Sequence, residues 1–362
     1  MVSLDAGDSP QRGRFAGQSL GTPAKSIKAV CFLTKMARYV VTGGLGFLGQ
    51  YVVREILDRD PKARVMVVSR SRRKTLLRVL DNRRVEFVAS DLSAERDFSF
   101  LQRGDMVVHA AALLPHTKGP DENMVAANVE ATKRLALACS KHGVKRLLHV
   151  SSVAATERFP ATQVTEDSFL SVKDLSAGEY ALSKALSEKA LRETTGLNYV
   201  ICLPSTIAGP GDHQSEQLLA TMRRLPIILD WGNLQNIIDV RDAAHGIWLL
   251  LRRGKRGERY LLTHHHVPLS RYMAFLASEL GLRRPVLPVP RWVVRAARLP
   301  LSIYSQLNPG TAFTPELVNR LLVRRSFSNA KILALGMRFN HTLEQTVSDT
   351  ALWLRTTPRV QS

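Results

Sequence analysis

From Ala37 onward, short runs of β-branched and apolar residues alternate with longer stretches of helical periodicity, which confines the chain to very few architectures. The runs RYVVT (38–42), RVMVVS (64–69), VEFVAS (85–90), DMVVHAA (105–111), KRLLHVSS (145–152) and NYVICLP (198–204) are predicted strands. Predicted helices open at GFLGQYVVREILDRD, run over 122–143 to a stop at Gly143, and run over 178–196. The strands are apolar throughout instead of alternating, as a parallel sheet covered on both faces requires. The expectation is an α/β fold, a doubly wound Rossmann-like parallel sheet with a smaller, mainly helical C-terminal lobe. Length agrees, since 362 residues exceed one ordinary domain. The main domain is assigned to 36–204 plus 236–253, where NIIDVRDAAHGIWLLLRR reads as a strand and helix returning to the sheet. The lobe takes 205–235 plus 254–362.

The first 35 residues are rich in Gly, Ser, Ala and basic residues and show no periodicity. MARYVVTGGLGFLG, from Met36, reads as a natural start, so 1–35 are taken as a disordered extension and left out of fold reasoning. The alternative is an organelle-targeting leader, because Arg12, Arg14, Lys25, Lys28 and Lys35 outnumber Asp5 and Asp8. Cys31, Cys139 and Cys202 lie far apart, without metal or redox spacing, and suit free thiols in a reducing compartment. No apolar run approaches the roughly 18 residues that span a bilayer, so a cytoplasmic location is expected. The net charge of +20 suits nucleic acid, an anionic membrane surface or phosphorylated ligands. The basic residues are spread along the chain, dense only over 64–84, and no nucleic-acid reader motif accompanies them. Nucleic acid is therefore not an expected partner.

Three motifs carry chemistry. The first is Thr42-Gly43-Gly44-Leu45-Gly46-Phe47-Leu48-Gly49, between the first strand and first helix. Glycines there permit a tight turn and let backbone N–H groups approach a pyrophosphate at the positive helix end. The second follows the second strand, where an NAD-preferring fold places Asp or Glu. Here stand Ser69-Arg70-Ser71-Arg72-Arg73-Lys74, cations able to pair with a 2′-phosphate and no carboxylate to repel it. Arg70 is the leading candidate, and NADP(H) is expected over NAD(H). The third is Tyr180-Ala-Leu-Ser-Lys184, whose spacing sets phenol and ammonium on one helix face. The ammonium is expected to lower the Tyr180 pKa, so that the phenol can exchange a proton with a carbonyl or hydroxyl during hydride transfer. Ser152, ending the fifth strand, would hold the reacting oxygen, with Ser151 the competing choice because alternate strand residues face opposite sides.

On these motifs the chain resembles the extended short-chain dehydrogenase/reductase family of the NAD-dependent epimerase/dehydratase type, over most of its length after Met36. TGGLGFLG resembles the family's cofactor loop, implying contacts from Gly43, Gly46, Phe47, Leu48 and Gly49. Asp91-Leu92 resembles the acidic pair that contacts adenine, and HAAAL (109–113), with Ala110 and Ala111, the segment beside the nicotinamide ribose. NVEAT (128–132) resembles the helix that carries a supporting Asn, here Asn128. PSTIAGPGD (204–212) resembles the Pro…Gly-Pro loop and would bring Pro204 and Thr206 to the cofactor. The resemblance gives Ser152, Tyr180 and Lys184 the catalytic roles, with Lys184 also holding the nicotinamide ribose. PSTIAGPGD, RGERYLL (256–262) and the segment 327–355 are most similar to dihydroflavonol-4-reductase-like proteins and hopanoid-associated sugar epimerases.

The expected function is NADP(H)-dependent interconversion of a carbonyl and an alcohol on a small substrate. Thr206 stands where many sugar-nucleotide enzymes have Asn, and PVLPVPRWVV (285–294) with Trp231 and Trp292 points to an apolar ligand; Trp248 is read as core. The alternatives are a nucleotide-sugar epimerase or dehydratase with retained NAD(P), and a non-catalytic NADP(H)-sensing protein. His264-His265-His266 is read as a loop after a strand and not as a metal site, because adjacent residues point apart. PRWVVRAARL (290–299) sets Arg291, Arg295 and Arg298 on one helix face and Trp292, Ala296 and Leu299 on another. It is read as a short helix covering the pocket, with peripheral membrane contact as the alternative. Apolar stripes on the helices 122–143 and 178–196 (Met124, Val125, Leu135; Leu182, Leu186, Leu191) suggest a homodimer.

Overall fold

The computed structural model describes residues 37–73, 75–114, 123–157, 163–173, 178–224, 226–308 and 324–357. Its strands are β1 (Arg38–Thr42), β2 (Arg64–Ser69), β3 (Val85–Ala89), β4 (Met106–His109), β5 (Arg146–Val150), β6 (Tyr199–Pro204), β7 (Thr206–Ala208), β8 (Ile228–Asp230), β9 (Leu234–Asp239), β10 (Arg259–Leu262), β11 (His265–Pro268) and β12 (Val286–Pro288). Its first eight α-helices are α1 (Phe47–Arg59), α2 (Met124–Lys141), α3 (Glu179–Glu193), α4 (His213–Arg224), α5 (Val240–Arg253), α6 (Leu269–Glu279), α7 (Arg291–Ala296) and α8 (Arg298–Leu307).

The main sheet has seven parallel strands in the order β10-β6-β5-β4-β1-β2-β3. Successive strand residues face opposite sides, and both sides are buried. Tyr39, Val41, Val65, Val67 and Leu148 join the core built with α1 and α5. Val40, Met66, Val68, Val107 and Leu147 join the core built with α2 and α3. That division is why the strands are apolar throughout. Strand order reverses between β1 and β4, which opens a crevice at their carboxyl ends, the place where such sheets bind ligands.

Two strands depart from the sequence expectation. The run at 236–239 lies in β9, which pairs with β7 and β11 in a separate three-stranded sheet. Its helix, α5, and Ile238 of β9 nevertheless pack into the main core. The seventh strand is β10, four buried residues (RYLL) in a segment expected to belong to the lobe. A run of four shows no period, so only the empty edge beside β6 decides where it pairs. The lobe packs α4, α6 and the helix Leu343–Thr356 around Leu219, Met222, Tyr272, Leu276, Leu343 and Val347. It also contains β9, read beforehand as a strand of the main sheet, with β7, β11 and the two-stranded β8–β12 sheet, whose strands of three or four residues are too short to read from sequence.

The proposed dimer stripe is narrower than it reads. Met124, Leu135 and Leu191 are buried within this chain, leaving Val125, Leu182 and Leu186 half-buried. The extension 1–35 and Lys74 lie outside the described residues.

Gly49 ties the first helix to the turn before it, because a Cβ there would be driven into the Gly43 carbonyl oxygen. Gly49→Ala should destabilise the fold by about 2 kcal/mol or more, lowering the urea midpoint without changing the slope. An unchanged midpoint would show that the turn can relax.

Candidate active site

The glycine segment sits at the switch point. Gly43 has φ +70°, and a Cβ on it would lie 2.7 Å from the Ala111 nitrogen, so the turn requires glycine. The Gly43 N–H donates to the Val68 carbonyl (2.9 Å) and the Gly46 N–H to the Gly43 carbonyl (2.8 Å). Helix α1 starts after Gly46 with no side-chain cap and no acidic residue in its first turn. Its positive end therefore faces the crevice without a carboxylate to neutralise it, which suits the pyrophosphate of a dinucleotide. Ala110 and Ala111 are half-buried on the other wall, where the Ala110 N–H donates to the Thr42 carbonyl (3.1 Å). Beneath them Thr42 Oγ1 and His109 Nδ1 are 2.8 Å apart, and His109 Nε2 lies 3.1 Å from Thr132 Oγ1. Burial first, then the Lys184 charge, pushes His109 down to about 3, so it bridges the two threonines as a neutral ring.

The end of β2 is more complicated than its sequence suggests. Arg70 is exposed and close enough to Asp91 for its charge to help hold that carboxyl below its usual range, after the larger effect of hydrogen bonds from Ser93. A carboxylate is thus present near Arg70, brought there from the end of β3. Arg73 is the cation tied to the glycine segment. Its Nε and Nη2 both donate to the Leu45 carbonyl (3.2 and 3.0 Å). Sequence reasoning counted Arg73 only as one cation among several. Its distinguishing contact depends on how the chain turns after Ser69.

Helix α3 carries the third group. The two serines before it separate cleanly: Ser151 is buried and donates to Glu188 Oε1 (2.5 Å). Ser152 is half-buried, accepts from the Ala154 N–H (3.1 Å) and hydrogen-bonds the Tyr180 phenol. Burial holds Tyr180 above its ordinary value, and the Ser152 hydroxyl pulls the other way. The expected lowering by Lys184 is not seen. The ammonium lies 5.8 Å from the Tyr180 ring centroid and donates to the Val150 carbonyl (2.9 Å). Burial pushes Lys184 itself down to about 8, against the opposing charge of Glu188. Glu188 went unnoticed in the sequence, although it stands one turn beyond Lys184 on the same face. It pairs with Arg259 (3.0 Å), whose guanidinium also donates to the carbonyls of Ala155, Glu166 and Ser168. One buried ion pair thereby fixes Ser151, α3 and the loop that follows Ser152.

This architecture and these segments are matched by known proteins. The model of the NAD dependent epimerase/dehydratase family covers residues 39–262, which is more than half of the chain. The chain belongs to that family. It is 32% identical over 266 residues to a Synechocystis sp. protein named "Putative dihydroflavonol 4-reductase", covering 70% of this chain and 76% of that one. It is 30% identical over 264 residues to sterol demethylase protein B of Methylococcus capsulatus, covering 69% of this chain and 77% of that one. The crystal structure of gox2253 superposes with a TM-score of 0.74 at 27% identity, over 89% of this chain and 98% of the other. This epimerase/dehydratase family member is an NAD(P)-dependent oxidoreductase.

The remaining positions that the family resemblance singled out are distributed unevenly. Asn128 is a brace: its Oδ1 accepts from the Leu113 N–H (2.7 Å), and its Nδ2 donates to the Leu113 carbonyl and Ser183 Oγ. Leu92 is buried in the core, while Asp91 stays exposed. Phe47 and Leu48 are half-buried in the first turn of α1. Pro204 ends β6 in the interior, and the Thr206 hydroxyl accepts from Gln235 Nε2 across the small sheet. Trp248 lies over His245 and Arg59, away from the crevice. His265 and His266 belong to β11, whereas a loop was expected; His264 alone precedes it, stacked on Phe339. Among the described residues no group of three His, Cys, Asp or Glu side chains could hold a metal ion. The helix expected to cover the pocket is broken at Ala297 into α7 and α8, with Trp292, Ala296 and Leu299 turned to solvent and Val294 inward. Among the described residues no helix is long and apolar enough to cross a membrane.

Lys184 lends itself to a direct test. Its value is about 8 in the fold, below its ordinary value, so below that pH the folded chain carries a burial penalty of about 3 kcal/mol. The penalty fades as pH rises towards the ordinary lysine value, because the folded chain sheds a proton that the unfolded chain keeps. Lys184→Met should therefore melt at or above the parent's temperature near neutral pH, with the advantage shrinking in alkali. A variant that melts lower at neutral pH would show the charge to be stabilising.

Proposed function

We propose that this oxidoreductase uses NADPH to reduce the carbonyl of a small, largely apolar substrate. The observation that carries the reading is the grouping of Ser152, Tyr180 and Lys184, with the phenol hydrogen-bonded to Ser152 and the ammonium 5.8 Å from its ring. Bound NADPH supplies the hydride. The Ser152 hydroxyl holds the substrate oxygen, and Tyr180 gives it a proton. Burial keeps the Tyr180 phenol protonated in the neutral range, which is the form a reduction consumes. Lys184, anchored on the Val150 carbonyl, holds positive charge beneath the ring as negative charge develops on the phenol oxygen. It also serves the nicotinamide ribose. Asn128 acts through the segment it braces.

Cofactor preference is assigned to the cations that follow β2. Arg73 is held against the glycine segment and Arg70 stands beside Asp91. Together they receive the 2′-phosphate, with Arg73 the larger contributor because among the described residues no carboxylate pairs with it. An apolar substrate is supported by the name of the Methylococcus relative and by the engagement of Thr206 with Gln235, which leaves its hydroxyl committed inside the lobe.

Tyr180→Phe should lower NADPH-dependent turnover by about 10²–10⁴ while leaving NADPH affinity nearly unchanged. Arg73→Ala should weaken NADPH by about one to two decades, the worth of a charge-assisted contact, and leave NADH alone; Arg70→Ala should do the same to a smaller extent. A panel of aryl ketones, sterol ketones and nucleotide sugars, followed by NADPH absorbance, identifies the substrate class. Turnover confined to nucleotide sugars without net NADPH oxidation would overturn the reductase reading in favour of an epimerase.

A further inference from the structure

Between Gly281 and Asn308 the chain has five arginines, Arg283, Arg284, Arg291, Arg295 and Arg298, and no Asp or Glu. The same stretch turns its apolar side chains outward. In α8, Leu299, Ile303 and Leu307 recur every four residues on one face and are 71%, 54% and 75% exposed, and the helix buries no residue. Trp292 in α7 is 70% exposed. The paired strands just before α7 expose Leu287 and Leu229 from register-matched positions. Large apolar side chains exposed together on adjoining helices mark a surface with a use.

Charge selects what covers it. Partial burial, and then the like charges of Arg324 and Arg295, disfavour the charge of Arg291. A cluster of that kind favours an anionic counterpart. A second copy of the chain is a poor one, since two such faces would bring cation against cation on molecules of net charge +20. A lipid surface matches both features, with phosphates for the arginines and an acyl boundary for the indole and leucines. At ten residues, α8 can lie in such a surface but cannot cross it.

We propose that α7 and α8 dock this enzyme on an anionic bilayer surface. Trp292, Leu299, Ile303 and Leu307 enter the headgroup–acyl boundary, and Arg295 and Arg298 pair with lipid phosphates. The proposal is independent of the substrate, so its test can fail while the reductase reading stands.

The full chain should co-sediment with phosphatidylcholine vesicles that contain phosphatidylserine, about tenfold or more better than with phosphatidylcholine alone, and high salt should release it. Leu299→Glu with Leu307→Glu should abolish binding, with melting temperature and NADPH affinity unchanged because both positions are exposed. If that variant melts early, the parent still decides the matter. Brominated lipid in anionic vesicles should quench tryptophan emission of the parent and spare Trp292→Phe. Absence of vesicle binding, equal binding to neutral vesicles, or undiminished binding by a folded double variant would overturn the proposal. So would light scattering in which the double variant dissociates an oligomer while the parent ignores vesicles.

Discussion

Everything at the crevice depends on how closely the chain can approach itself where β1 and β4 end. Gly43 must lie against the Ala110–Ala111 backbone, and Gly49 against Gly43, for α1 to leave the sheet at its observed angle. The contact holds because β1 and β4 are buried on both faces and cannot shift to relieve a clash. Below it the neutral His109 ring of β4 bridges β1, through Thr42, and α2, through Thr132. From this junction follow the uncapped positive end of α1 and the placing of α2 and α3 on the opposite wall.

Helix α3 is anchored by polar contacts in a region where most such groups would be costly. Lys184, Glu188 and Arg259 are all buried, and each is answered by a specific partner: the Val150 carbonyl, Ser151 with Arg259, and three loop carbonyls. Removing Glu188 or Arg259 alone leaves the other unpaired in low dielectric, so the ion pair specifies one geometry more than it adds stability. Ser152 and Tyr180 lie beside it, half-buried.

Much of the fold was legible in the sequence because its strands are long, apolar and separated by periodic helices. Six strands of the main sheet fall where their runs place them, to within two residues at either end. What escaped was short. β10 has four residues and β9 carries no pattern that distinguishes the main sheet from a small one, so their partners depend on which edges the longer strands leave free. The candidate site divides the same way. Tyr180 and Lys184 could be paired from spacing within one helix, and the glycine turn from its place between strand and helix. The choice between Ser151 and Ser152, the neighbouring of Arg70 and Asp91, and the contact of Arg73 with Leu45 involve residues far apart in the chain.

By itself the sequence determined the sheet's two-sided burial, the turn that only glycine can make and the i, i+4 pairing of phenol and ammonium, because each depends on local backbone geometry and side-chain period. Tertiary structure decided the protonation balance and the outward faces. Burial, a property of the whole fold, moves Tyr180 up and Lys184 down where local proximity alone had suggested a lowered phenol. The break at Ala297 turns Trp292 and Leu299 to solvent where an unbroken helix had been expected to cover the pocket. Periodicity shows that a helix has two faces; only the packing around it settles which one meets water.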